Sequence, residues 1–214
     1  MTNNQVKKDF DVAKAIVKLP VEGQLRLFQQ AVDENNVVAL NSILSALSYK
    51  VQFKIIYYAN EAIYNAAQFG RACIFAELLR IEGINVNWQN EYHNYQSPLM
   101  RAVANDHEYI IEYLLARDDL DINAETLDGK CAANFANTEK TIKQLLDDPR
   151  LNEKGRSILN NRLAEIEHEM NLARKQFKEI YIEPSDNSSA LEKKMGPIRR
   201  ALKLSSNNGG NFLG

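Results

Sequence analysis

The feature that most constrains this chain is a repeat. The segment AAQFGRACIFAELLRIEGINVN (Ala66 to Asn87) lies without a gap over AVANDHEYIIEYLLARDDLDIN (Ala102 to Asn123), at an offset of 36 residues. Ala66 meets Ala102, Leu78-Leu79 meet Leu114-Leu115, and Val86-Asn87 meet Ile122-Asn123. Upstream, AVDENNVVALNSIL fits the same frame, with Ala31 placed 35 residues before Ala66. Downstream, CAANFANTEKTIKQLL matches less well: Ala136 comes 34 residues after Ala102, and its leucine pair Leu145-Leu146 arrives three residues early. Units of this length cannot bury an apolar stripe alone, so a repeating chain must stack them.

Each unit reads as a helix, a turn and a second helix. In the best-formed one, Ser97-Pro98 starts a helix, since proline at the first turn lacks only an N–H that would have no partner there anyway. Leu99, Ala102 and Val103 give that helix one apolar stripe. The residues NDHE make the turn, and Ile110, Ile111, Leu114 and Leu115 form the stripe of the second helix. Glycine and proline are scarce, and apolar residues fall mostly at helical spacing. The expected fold class is therefore all-α: a helical solenoid of about four repeats over residues 1–152.

Residues 97–123, with NAETLDGKCAANFA after them, resemble ankyrin repeats. Ser97-Pro98-Leu99 stand for the family's T-P-L signature, His107 for its G-H histidine, Ile122-Asn123-Ala124 for V-N-A, and Gly129 for the finger glycine. Met100 departs from the pattern where a histidine is usual, Asp106 where the turn glycine is usual, and the period exceeds the usual 33. The resemblance spans roughly residues 25–150 and is good in two repeats. It implies helix pairs joined by hairpin fingers that project from the stack, and protein partners bound by the fingers and inner helices along a concave face.

That resemblance gives meaning to NVNWQNEYHNYQSPL, residues 85–99. The segment is polar, has neither helical nor strand period, and still holds the single tryptophan and two tyrosines. It reads as a finger enlarged by two residues. The candidate protein-binding residues are Trp88, Gln89, Glu91, Tyr92, His93, Tyr95 and Gln96 in this finger. Arg101, Ala104 and Asn105 follow on its inner helix, then Glu125, Leu127, Asp128 and Lys130 in the next finger. Tyrosine and tryptophan offer large contact area for few rotatable bonds and dominate interface hot spots. Two readings of Trp88 stand: a surface anchor, or packing between neighbouring fingers. Tyr92 and Tyr95, in the inserted part, are expected to be exposed.

At the N-terminus, QVKKDFDVAKAIVK (residues 5–18) places Val6, Phe10, Ala13 and Val17 on one face and reads as a capping helix. After Pro149, the residues Leu159, Leu163, Ile166, Met170, Ala173, Phe177 and Ile180 form a seam with alternating steps of four and three. This predicts one long amphipathic helix over residues 153–182. It serves either as an oversized cap on the last repeat or as a coiled-coil or partner-docking helix. A monomer is expected over a coiled-coil dimer. Residues 183–214 read as a flexible basic tail, with Lys193, Lys194, Arg199, Arg200 and Lys203 around an apolar spacing interrupted by Gly196-Pro197.

Composition narrows function by exclusion. A formal net charge of −2 does not suit a general nucleic-acid binder, so no nucleic acid is expected. No apolar run is long enough to span a membrane. Two cysteines, Cys73 and Cys131, suit a reducing cytoplasm and read as buried structural residues inside helices. No phosphate loop, nucleophile elbow or metal-ligand spacing occurs, so no catalytic residue, cofactor or metal is expected. His107 reads as a turn residue that hydrogen-bonds backbone. The expectation is a non-enzymatic protein-interaction module. The alternatives are an adaptor that uses the basic tail on an acidic partner or membrane surface, and an enzyme with a site in the C-terminal region. In style, the Asn- and Ile-rich sequence with divergent repeats and a polar tail resembles effectors that intracellular bacteria deliver into host cells by type IV secretion. That resemblance implies a host protein as partner and an export signal in the tail.

Overall fold

The computed structural model describes residues 15–47 and 49–182, of which 49–54 and 178–182 by backbone alone. Helices α1 (Val21–Asp33) and α2 (Val37–Ala46) form the first pair, and α3 (Tyr49–Phe69) with α4 (Ala72–Leu78) the second. Helices α5 (Pro98–Ala104) and α6 (Glu108–Leu115) form the third. A short 3-10 turn, η1 (Glu91–His93), precedes α5; a second 3-10 helix, η2 (Ala132–Phe135), with α7 (Glu139–Leu146) makes the fourth pair, and α8 (Glu153–Ile182) closes the stack. The fold is the all-α solenoid expected from the repeat.

The recurring alanines end the inner helices in one way. The amide of Asn36 donates to Ala31 O at 2.8 Å, that of Arg71 to Ala66 O at 3.0 Å, and that of His107 to Ala102 O at 2.9 Å. Each closes a six-to-one C-terminal cap, which requires a left-handed residue just before the donor. Those residues are Asn35 (φ 54°), Gly70 (φ 69°) and Asp106 (φ 54°). The three alanines are buried, so the cap and the core select them together.

Starting signals are equally local. Asn36 Oδ1 accepts from Ala39 N at 2.9 Å and starts α2, and Ser97 Oγ accepts from Met100 N at 3.4 Å and starts α5. Thr138 Oγ1 accepts from Thr141 N at 3.3 Å and starts α7. The apolar stripes then meet in one continuous core that runs from Ile16 through Phe28, Ile63, Phe75, Leu99, Ile111, Leu114 and Ile142 to Leu159 and Ile166. Each fully buried Leu, Ile or Phe contributes about 1.5–3 kcal/mol of apolar burial. Small residues on the inner helices, such as Ala66, Ala102, Ala132 and Ala133, let neighbouring repeats approach closely.

Repeats are also joined by polar contacts at equivalent places. The Arg71 guanidinium donates to Val32 O at 2.8 Å, and 36 residues later His107 Nε2 lies 3.1 Å from Gln68 O. His107 is thus a turn residue bonded to backbone, across a repeat boundary. Asn87 Nδ2 donates to Asp119 O at 2.6 Å while its Oδ1 accepts from Asp121 N at 2.8 Å. Asn123 repeats the pattern one unit on, with Arg150 O at 2.8 Å and Asn152 N at 2.9 Å.

Helix α8 spans the predicted length and packs on η2 and α7. Leu159 and Ile166 are buried, with Leu163 and Met170 against the same core, so this part of the seam caps the stack. Arg156 fixes the start of α8 by donating to the carbonyls of Leu146, Asp148 and Leu151 at 2.7–3.1 Å.

Four sequence expectations change or fall outside the described residues. The long α3 has no counterpart in the repeat: its first half continues as helix where a finger would join the first two units. Cys73 is exposed on α4 rather than buried, and Cys131 is buried but precedes η2 instead of lying within a helix. The N-terminal capping helix lies mostly outside the described residues, with only 15–17 seen as helical. The tail from 183 onward lies wholly outside them.

Candidate protein-binding face

The finger between the second and third pairs closes with Asn90 N donating to Gln96 O at 3.0 Å. The next finger closes with Thr126 N donating to Lys130 O at 2.9 Å. Five residues lie between the first pair of closing positions and three between the second, so the first finger carries two extra residues. The extra length is taken up by a 3-10 turn, Glu91–His93, followed by Asn94 and Tyr95, both at φ 56°. Asn90 Oδ1 accepts from Tyr92 N at 2.9 Å and holds that turn. In the shorter finger one left-handed residue, Gly129 (φ 72°), suffices.

The two fingers are tied to each other. Gln89 Nε2 donates to Tyr95 O within its own finger and to Glu125 O of the next, both at 2.8 Å. Asn94 Nδ2 donates to Asp128 Oδ1 at 2.7 Å. Asp128 also accepts from Thr126 Oγ1 at 2.6 Å and pairs with Lys130 at 2.8 Å. The Lys130 ammonium, then Thr126 and Asn94, hold its carboxyl well below the usual carboxylate range. Lys154, at the start of α8, donates to Glu125 Oε1 at 2.6 Å and to Gly129 O at 2.9 Å, which ties the second finger to the cap.

The base of the long finger rests on Tyr64 of α3, whose side chain is fully buried. His93 stacks on its ring at 5.7 Å between centroids, and Trp88 meets it edge-on at 5.9 Å. Arg101 Nε donates to the Tyr64 hydroxyl at 2.6 Å, and its guanidinium lies 5.6 Å from the ring centroid. Burial pushes the Tyr64 phenol up, against the opposing pull of Arg101. Desolvation therefore decides, and the phenol stays neutral at physiological pH.

The candidate residues accordingly divide. Trp88, Gln89, His93 and Arg101 are engaged in holding the finger in place, with Trp88 half-buried at its base. Asn105 donates to Arg101 O at 2.9 Å from an exposed position, and Ala104 is half-buried. Gln96 closes the finger through its backbone. Glu125, Asp128 and Lys130 are exposed but already paired. Glu91, Tyr92, Tyr95 and Leu127 point outward, with Tyr92 83%, Leu127 75% and Tyr95 39% exposed. Tyr64 escaped the sequence reading, because periodicity marks it as core without naming its neighbours. Among the described residues, no group of three or more His, Cys, Asp or Glu could hold a metal ion. No helix among them is long and apolar enough to cross a membrane.

Residues 63–155 match the family model for ankyrin repeats in three copies. These residues are ankyrin repeats within an all-α helical solenoid, and such repeats indicate a module of protein–protein interaction. No curated protein matches the sequence.

Proposed function

We propose that the chain binds a partner protein, without catalysis, through its two fingers and the inner-helix face beside them. One observation carries this reading: the fingers are locked to each other through Gln89 and Asn94 while Tyr92, Tyr95 and Leu127 are left to solvent. Ordering a loop is part of the cost of association, and a finger pair fixed before binding avoids much of it. Exposed tyrosines on a rigid base are the side chains most often found as interface hot spots.

The test is a pull-down from eukaryotic lysate with the wild-type protein and a Tyr92→Ala/Tyr95→Ala variant of equal helicity by circular dichroism. A partner captured by wild type and lost by the variant supports the reading. Equal capture by both returns the aromatics to a structural role and directs attention to α8 and the basic segment 191–204. The host-cell setting rests on the sequence style and the tail, and has its own test. Deleting residues 205–214 should abolish delivery through a type IV system and spare folding, and normal delivery would sink it.

A further inference from the structure

The exposed aromatic row does not stop at the fingers, and its uncommitted charge has one sign among the described residues. On α3, Glu61 lies three residues and Tyr57 seven before Tyr64, so the three share one helical face. Tyr57 is 62% exposed. His93 stacks on Tyr64, so this face of α3 adjoins the long finger, and the finger adjoins Leu127 through the Asn94–Asp128 bond. The row runs from Tyr57 past Glu61 to Glu91, Tyr92 and Tyr95, and on to Leu127.

Among the residues whose side chains are described, every cation along it is already used. Arg101 is bound to Tyr64, Lys130 to Asp128, and Lys154 to Glu125. Glu61 and Glu91, by contrast, have neither an ion pair nor a side-chain hydrogen bond among the described residues. Arg26 of α1, which has no ion pair among the described residues, shares a groove with Glu22, Asp33, Glu34 and Tyr58 and is outnumbered there by carboxylates. An acidic partner would meet unpaired carboxylates of its own sign. A cationic one would find carboxylates to pair with and tyrosine faces to stack on.

We infer that the partner presents a cationic, arginine-bearing segment, and that Tyr57 and Glu61 of α3 bind it together with the long finger. This rests on the interaction reading above. The experiment is a selection of phage-displayed random peptides on the full chain. The enriched peptides are then titrated against wild type, the Tyr92→Ala/Tyr95→Ala variant, and a Glu61→Gln/Glu91→Gln variant.

The expected peptides are enriched in arginine. They weaken by roughly three- to tenfold with the glutamine variant and lose affinity as NaCl is raised. They are lost with the alanine variant. Peptides that depend on Tyr92 and Tyr95 but are not cationic, or that bind the glutamine variant at full strength, overturn the inference and leave the finger reading standing. Peptides indifferent to both variants, or no enrichment on folded protein, overturn both.

Discussion

Arg101 Nε and the Tyr64 hydroxyl lie 2.6 Å apart, and this bond joins the inner helix of one repeat to that of the previous one directly beneath the long finger. The same tyrosine ring carries His93 on its face and Trp88 at its edge. One side chain therefore sets the pose of the finger. Tyr64→Phe keeps the ring and removes the acceptor, so it should cost about 1.5–3 kcal/mol, the range for hydrogen bonds to charged groups. Tyr64→Ala also leaves a cavity and should cost about 3–5 kcal/mol. Urea titration followed by circular dichroism gives both values. Because Trp88 is the single tryptophan, its emission should shift to the red in the alanine variant before any loss of helix.

Asp106 stands in a left-handed turn where the two preceding repeats have Asn35 and Gly70. It also accepts from Thr138 Oγ1 at 2.8 Å and Thr141 Oγ1 at 2.9 Å, which tethers the start of α7. Asp106→Gly relieves the backbone and loses both bonds, whereas Asp106→Ala loses the bonds and keeps the strain. The alanine variant should be less stable than the glycine variant by about 1 kcal/mol. Equal stabilities would show that the turn conformation is without cost.

At Gly70 a methyl group would come within 2.6 Å of the His107 ring, at φ 69°. That ring is held by Gln68 O, so it cannot swing aside freely. Gly70→Ala should destabilise by about 2 kcal/mol or more, through strain and overpacking together. Thermal melts of the two proteins check this.

The repeat was legible because its markers serve two purposes. Ala31, Ala66 and Ala102 are core residues and also cap acceptors, so they recur at nearly fixed spacing. The seam from Leu159 to Ala173 was legible for the same reason, as a single helix writes one period. The finger was legible as surplus length with tyrosines in it. What the sequence concealed was partnership. Gln89, His93 and Arg101 are polar, as binding residues would be, yet Gln89 and Arg101 use their polar groups within the molecule and His93 stacks on Tyr64. The first half of α3 was missed because residues 49–60 contain no breaker and nothing in their pattern marks the loss of a finger. Cys73 was misplaced because the equivalent position one repeat on is Tyr109, an outward-facing site 70% exposed.

The exposure of Cys73 sets its reactivity apart from that of buried Cys131. In native protein a thiol reagent should label Cys73 quickly and Cys131 only after denaturation, giving one reactive thiol and then two. Two fast thiols in native protein would place the start of η2 in solvent.

Acid should loosen the C-terminal end of the stack. The Arg150 guanidinium, bonded to Asp148 at 2.6 Å, holds that carboxyl below its ordinary range, against an opposing effect of burial. A folded-state pKa below the unfolded one means the contribution is complete above the ordinary carboxylate range and is lost as pH falls through the depressed value. Urea midpoints should therefore fall below about pH 4 in wild type. They should fall less steeply in Asp148→Asn, which starts lower at neutral pH. Parallel pH profiles would show that this pair makes no net contribution.

The most direct test of the binding face places a photo-cross-linking benzoylphenylalanine at position 92 in one protein and at position 109 in another. Both sites are exposed tyrosines, one on the finger and one on the outer helix α6. Irradiation with a captured partner should cross-link through position 92 and leave position 109 unreacted. Cross-linking through 109 alone would place the partner on the outer helices and contradict the account.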